Sequence, residues 1–238
     1  MNPDPNTLDP LTPGAVDPAL LVLADGRFPA GGHAHSGGAE AAVRAGRVHD
    51  PESLRAFCTG RLHTTGLTSA ALAAAAAAGL PPPALDDAAD ARTPSPALRA
   101  TSRRLGRQLL RAARAVWPDP ALDRLAAERP RGAHHSVVLG LAAAAAGLDP
   151  GGAATAAAYE SVSGAVSAAV RLLGLDPFQA TAVLARLAPE LRQVAAAAVT
   201  AADTAAREGL DALPAASAPL LDVYAEQHAA WPVRLFAS

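Results

Sequence analysis

At residues 17–18, 50–51, 149–150 and 176–177 an Asp-Pro pair stands at the head of an alanine- and leucine-rich run, and this recurring device restricts the fold more than any other feature. The aspartate carboxylate can accept from a free amide of a first helical turn, while proline at the next position has no amide to leave unpaired and a φ already helical. Each pair predicts a helix start. Leu20, Leu21, Leu23 and Ala24 give the first helix an apolar face that ends at Asp25-Gly26, and a second helix is expected from about Gly38 to Ala45. After the pair at 50–51, Leu54, Phe57, Arg61, Leu62 and Leu67 lead into the alanine run at 70–78. The proline-rich stretch from Leu80 to Pro96 reads as a long loop between helices.

Residues 96–116 form the clearest amphipathic pattern. At about 100° per residue, Leu98, Thr101, Leu105, Leu109, Ala112 and Val116 fall on one face, and Arg99, Arg103, Arg104, Arg107, Arg111 and Arg114 on the other. The arginine face is read as solvated, with a docking surface for an acidic partner as the sharper alternative. A short helix is expected over 120–128. Residues 133–147 are apolar nearly all round, as in a helix buried inside a bundle. Further helices are expected from the pair at 149–150 to about Leu173, from 176–177 toward Leu187, from Pro189 to near Gly209, and over 219–229. No segment sustains the alternation of β-branched and polar residues that a strand needs. The expectation is an all-α, single-domain bundle of roughly eight to ten helices spanning 17–238, behind a disordered lead over 1–16 and with a flexible C-terminal tail.

Composition narrows the function. All 20 basic residues are arginine, and the formal charge is −2, so no global cationic surface recommends nucleic acid or an anionic membrane. The apolar runs fall short of a membrane span, and the N-terminus lacks the form of a secretion signal. The lone Cys58 excludes an intramolecular disulfide and suits a reducing compartment, so the cytoplasm is expected. No phosphate loop, dinucleotide fingerprint, zinc-protease motif or nucleophile elbow is present. No catalytic residue is assigned. Two of the histidines lie in the glycine-rich stretch Phe28-Pro-Ala-Gly-Gly-His-Ala-His-Ser-Gly-Gly-Ala-Glu40. His33 and His35 are weak metal-ligand candidates, because two imidazoles leave a four-coordinate site incomplete. His134-His135 is read as a capping and packing pair, and His228 as interfacial or held by a backbone carbonyl.

The run from Leu20 through that stretch to Glu40, together with Ala100-Thr-Ser-Arg-Arg-Leu-Gly-Arg-Gln-Leu-Leu110, His134-His-Ser-Val-Val-Leu-Gly140, Ser163-Gly-Ala-Val-Ser-Ala-Ala-Val-Arg-Leu-Leu173 and the closing Arg234-Leu-Phe-Ala-Ser238, resembles the UreF family of urease accessory proteins in order and spacing. Four places depart from the family's usual pattern: His33 replaces an aromatic residue, Ala39 a leucine and Ala229 a glutamate, and Leu173-Gly-Leu-Asp-Pro-Phe-Gln179 lacks the usual Pro-Leu-Gly-Gln run. The resemblance implies a non-enzymatic helical adaptor that binds UreD (also called UreH) and recruits the GTPase UreG, so that nickel reaches apo-urease. It implies a homodimer too, with nickel handled by the complex and no cofactor held tightly by this chain. Partner contacts are expected at Pro29, Gly31, Gly32, His33, His35, Ser36 and Glu40 of the bend, at Arg104 and Gln108, at Arg171, and at Arg234, Leu235, Phe236 and Ser238 of the tail. Phe236 is expected to anchor a partner, with the tail mobile until then; packing of the tail on its own bundle is the alternative. Two other functions stay open: direct activation of the GTPase by an arginine, and stand-alone nickel carriage through His33 and His35.

Overall fold

The computed structural model describes residues 17–237, the His33 side chain excepted, so the expected lead over 1–16 and Ser238 lie outside the described residues. It is helical throughout, without strands among the described residues. The α-helices are α1 (Pro18–Ala24), α2 (Ala39–Arg44), α3 (Pro51–Arg61), α4 (Leu67–Ala77), α5 (Pro82–Ala91), α6 (Pro96–Val116), α7 (Pro120–Glu128), α8 (His135–Ala145), α9 (Pro150–Leu173), α10 (Pro177–Glu208) and α11 (Pro219–Ala229). A π-helical turn, Leu62–Gly66, joins α3 to α4 without a break. Counting that rod once, the described residues form ten helical rods.

The Asp-Pro device works as its chemistry predicts. Asp17, Asp50, Asp149 and Asp176 each accept from an amide of the first turn, and Asp50 with Ser53 completes a reciprocal capping box. α4 runs through the middle against α8, α9 and α10; α6 packs outside α8, and α11 lies on α6. One contiguous core results, built largely from alanine on α4, α8, α9 and α10. Its walls are thin. Gly140 of α8 lies so near the carbonyl of Ala73 on α4 that a Cβ there would collide with it.

Three expectations need correction. The stretch from Leu80 to Pro96 is not a long loop but contains α5: its prolines crowd the first turn, where missing amides cost nothing, and Leu85 and Ala89 are buried. Pro189 does not begin a new helix, because α10 runs unbroken past it. Pro189 and Ala185, whose carbonyl loses its helical donor, both face solvent, so water can take the bond and the helix continues. The buried stripe of α6 is Gly106, Leu109, Leu110, Ala112 and Ala113, whereas Leu98, Thr101 and Leu105 are half-buried and Val116 is exposed.

The arginine face of α6 is largely spent inside the molecule. Arg99 donates to the carbonyls of Thr93 and Pro94, Arg107 to that of Arg131, and Arg114 pairs with Asp123. Arg103 reaches Asp86, 1% exposed, at 2.9 Å, and Asp90 at 3.0 Å. Arg129 also binds Asp86, at 3.1 Å, and the His134 amide donates to it at 2.7 Å. The ring of His134 spans Ser102 Oγ and Asp90 Oδ1 at 3.1 and 2.7 Å. Burial opposes charge on Asp90, yet His134 and Arg103 together hold its carboxyl below the usual aspartate range. His134 is thus a packed residue at the head of α8, fixed by side chains from α5 and α6.

Candidate functional site

Residues 25–38 make the glycine bend, which contains one 3-10 turn, Gly32–Ala34. Gly31, Gly37 and Gly38 all carry positive φ, at 78°, 59° and 90°, so the path of the bend is one that other residues adopt only with strain. Gly31 also sits against Gln108 Oε1, which leaves no room for a side chain. That oxygen is buried without a hydrogen-bond partner among the described residues. The bend buries Ser36 completely and delivers Glu40, 7% exposed, into the first turn of α2. Ser36 Oγ accepts from the Glu40 amide at 3.3 Å.

Glu40 then gathers the far end of the chain. Its Oε2 meets His228 Nε2 of α11 at 2.9 Å and accepts from the Phe236 amide at 3.0 Å, while Oε1 accepts from the Leu235 amide at 2.8 Å. A further bond runs from the Ala237 amide to the Ala34 carbonyl at 2.7 Å. Burial disfavours the Glu40 charge, but the His228 ring and the two amides outweigh it and hold the carboxyl below the ordinary glutamate range. His228 is therefore held by a carboxylate and not by a backbone carbonyl. Its ring also packs on Trp231, 4.8 Å between centroids, and Arg44 lies 4.2 Å over the same indole.

The tail thus lies against its own bundle. Phe236 is 6% exposed and faces inward, so in this state it anchors the chain to itself. Arg171 is likewise engaged, its guanidinium 5.0 Å over the Phe236 ring. Arg234, Leu235 and Val233 point to solvent, as do Leu220 and Val223 of α11. Pro29 and Gly32 are exposed on the bend. Sequence reasoning named Glu40 and the tail separately but missed the bond between them, because their partners stand 195 and 196 positions apart. It missed Trp231 as well, although an aromatic residue just beyond a helix carrying His228 was a usable signal.

Beside this junction a cleft of about 430 Å³ opens between the bend, α6, α9 and α11, lined among others by His35, Arg61, Arg104, His135, Glu160 and Arg234. His135 and Glu160 stand 3.7 Å apart. Burial, with the charge of His35 nearby, pulls His135 down to about 4, and burial pushes Glu160 up to about 8. Both shifts favour the neutral forms of the two side chains. Among the described residues no three His, Cys, Asp or Glu side chains gather closely enough to hold one metal ion. Cys58 is buried and its thiol is pushed up to about 12, which makes it a poor nucleophile.

The fold and this site define an all-helical scaffold whose most built feature is a junction of bend, last helix and tail, edged by exposed apolar side chains and arginine. A family model described as UreF matches residues 48–188. The chain is 46% identical to "Urease accessory protein UreF" of Mycolicibacterium vanbaalenii over 223 residues, covering 92% of this chain and 97% of that one. It is 44% identical to the protein of the same name in Mycobacterium marinum over 220 residues, covering 92% and 97%. With that of Mycobacterium tuberculosis it shares 42% over 212 residues, covering 88% and 92%. The chain belongs to the UreF family of urease accessory proteins.

Proposed function

We propose that this chain is a non-catalytic adaptor that binds a UreD-type (UreH-type) protein and recruits a UreG-type GTPase, so that nickel is passed to apo-urease. It does so in the cytoplasm, as a homodimer, with the nickel handled by the assembly. Family membership supports the reading, and one observation carries it: Glu40 fixes the tail on the bend in a register that buries Phe236 and turns Arg234 and Leu235 outward. Exposed Val233, Leu235, Leu220 and Val223 with an adjacent arginine have the composition of a protein interface, an apolar centre with arginine enriched. None of the described helices is long and apolar enough to cross a membrane.

The test is co-expression with a UreD-type and a UreG-type protein. Both are expected to co-purify with this chain, and Arg234→Ala with Leu235→Ala should reduce their recovery at least tenfold; undiminished recovery would remove the tail from the interface. GTP turnover by the GTPase, measured with and without this chain, addresses the other role for Arg234. An adaptor leaves the rate unchanged, whereas stimulation lost in Arg234→Ala would make the chain an activating protein.

A further inference from the structure

Arg61, the last residue of α3, reaches the cleft with no carboxylate paired to it among the described residues. Its Nε donates to the Ser161 carbonyl of α9 at 2.6 Å, and its guanidinium abuts Gly37, where a Cβ would stand 3.4 Å from Cζ. Its acidic-type neighbour is the Cys58 thiol, which burial keeps neutral. The carboxyl along this wall of α9, Glu160, faces His135, and burial pushes it up to about 8. The rest of the lining has the same bias. Among the described residues Arg104 holds only Thr101 Oγ1, Arg92 is bound to carbonyls alone, and Arg234 adds a further cation, against one remaining lining carboxylate, Asp222.

We infer that the cleft is a binding site for a carboxylate, received by the guanidinium of Arg61. A half-buried guanidinium that gives one hydrogen bond to a carbonyl keeps most of its planar fork unused, and a carboxylate matches that fork in both shape and charge. Among the described residues the Ser161 carbonyl offsets only part of the cost of withdrawing the Arg61 cation from water, and such a ligand would offset more. The cleft is far larger than one carboxyl group and lies in the size range of small-ligand sites, roughly 300–1,000 Å³. Its apolar wall, with Leu72, Leu98 and Leu139, suits a carbon chain behind the acid. The carboxylate can be a free small acid or an acidic side chain of a partner protein, and nothing in the inference depends on the adaptor role.

The experiment titrates the full chain with succinate and, separately, with an N-acetylated Ala-Glu-Ala amide, following the arginine Nε resonances by NMR. Succinamide and the Ala-Gln-Ala peptide serve as neutral controls. Saturable shifts are expected with at least one carboxylate and with neither control, and Arg61→Gln should weaken that binding tenfold or more while Arg61→Lys weakens it less. Tighter succinate assigns a free acid; a tighter peptide assigns a side chain. If Arg61→Gln does not fold, the contrast between carboxylates and neutral controls in the native chain decides. Absence of that contrast, or undiminished binding in a folded Arg61→Gln chain, overturns the site.

Discussion

Two buried carboxylates organise this molecule in different ways. Asp86 lies inside the bundle and is met by two arginines and one amide, so it joins α5 to α6 and to the segment before α8 through opposite charges. Glu40 lies under the surface and is met by one histidine and two amides of an irregular tail. Removing Asp86 takes the buried carboxylate from two guanidinium groups and leaves each with one more exposed partner, Asp90 for Arg103 and Asp87 for Arg129, whereas removing Glu40 frees the His228 ring and two amides of the tail. The first carboxylate is a weld and the second a clasp. A segment held by its amides can be surrendered to any competing acceptor, a suitable property where partners are expected to bind.

The largest test of that contrast is Asp86→Ala. Leaving a buried charge uncompensated costs on the order of 3–5 kcal/mol; with Asp90 and Asp87 still pairing the two arginines the low end, about 3 kcal/mol, is expected, and urea unfolding should shift as one cooperative transition with its slope unchanged; a small, local effect would erase the distinction. Glu40→Ala should cost about 1–2 kcal/mol, with hydrogen exchange accelerated at the Leu235, Phe236 and Ala237 amides but not across α4, α8 and α9.

Acid should mimic this second variant. Glu40 titrates below its unfolded value of about 4.5, so the folded state binds fewer protons there. Its stabilisation is complete above that value and is lost as pH falls through the folded one. Tail amide exchange measured against pH should therefore rise on the acid side in the native chain and stay flat in Glu40→Ala.

Glu160 carries the opposite sign. Its carboxyl rises from 4.5 to about 8 on folding, so the native state holds the extra proton and loses stability as pH climbs across that interval. Glu160→Gln should flatten the pH dependence of the melting temperature and add about 1 kcal/mol at its alkaline end, a modest figure because the side chain is 32% exposed. Smallest of all, Arg234→Ala should leave the unfolding midpoint unchanged within about 0.5 kcal/mol; a larger loss would mean that Arg234 braces the clasp.

What could be read from the chain beforehand was local. The caps at Asp17, Asp50, Asp149 and Asp176, the limits of α6 and the burial of α8 each depend on residues within a few turns of one another. The helix at Pro82–Ala91 escaped because three prolines in a row signal a break unless they fall in a first turn, which only the burial of Leu85 and Ala89 settles. Pro189 misled because its tolerance depends on which side of α10 faces water. The stripe of α6 was misplaced because Leu98, Thr101 and Leu105 border a cleft, and periodicity cannot tell a cleft wall from a core wall. The bend and Glu40 stood out by their glycines and polar side chains, and the tail through the family pattern. Their bonding was not, since hydrogen bonds between residues nearly two hundred positions apart leave no periodic trace.

The alanine interior carries a lesson about mutational direction. A leucine-rich core fails when a side chain is shortened, because a void opens. Here most interior positions have only a methyl group to lose, so shortening removes little, while one added methylene has nowhere to go between rods as close as those meeting at Gly140 and Ala73. Random substitution should therefore damage this protein chiefly by enlargement, and an inherited library of tolerated changes would be skewed toward glycine and serine at sites where other proteins accept valine or leucine.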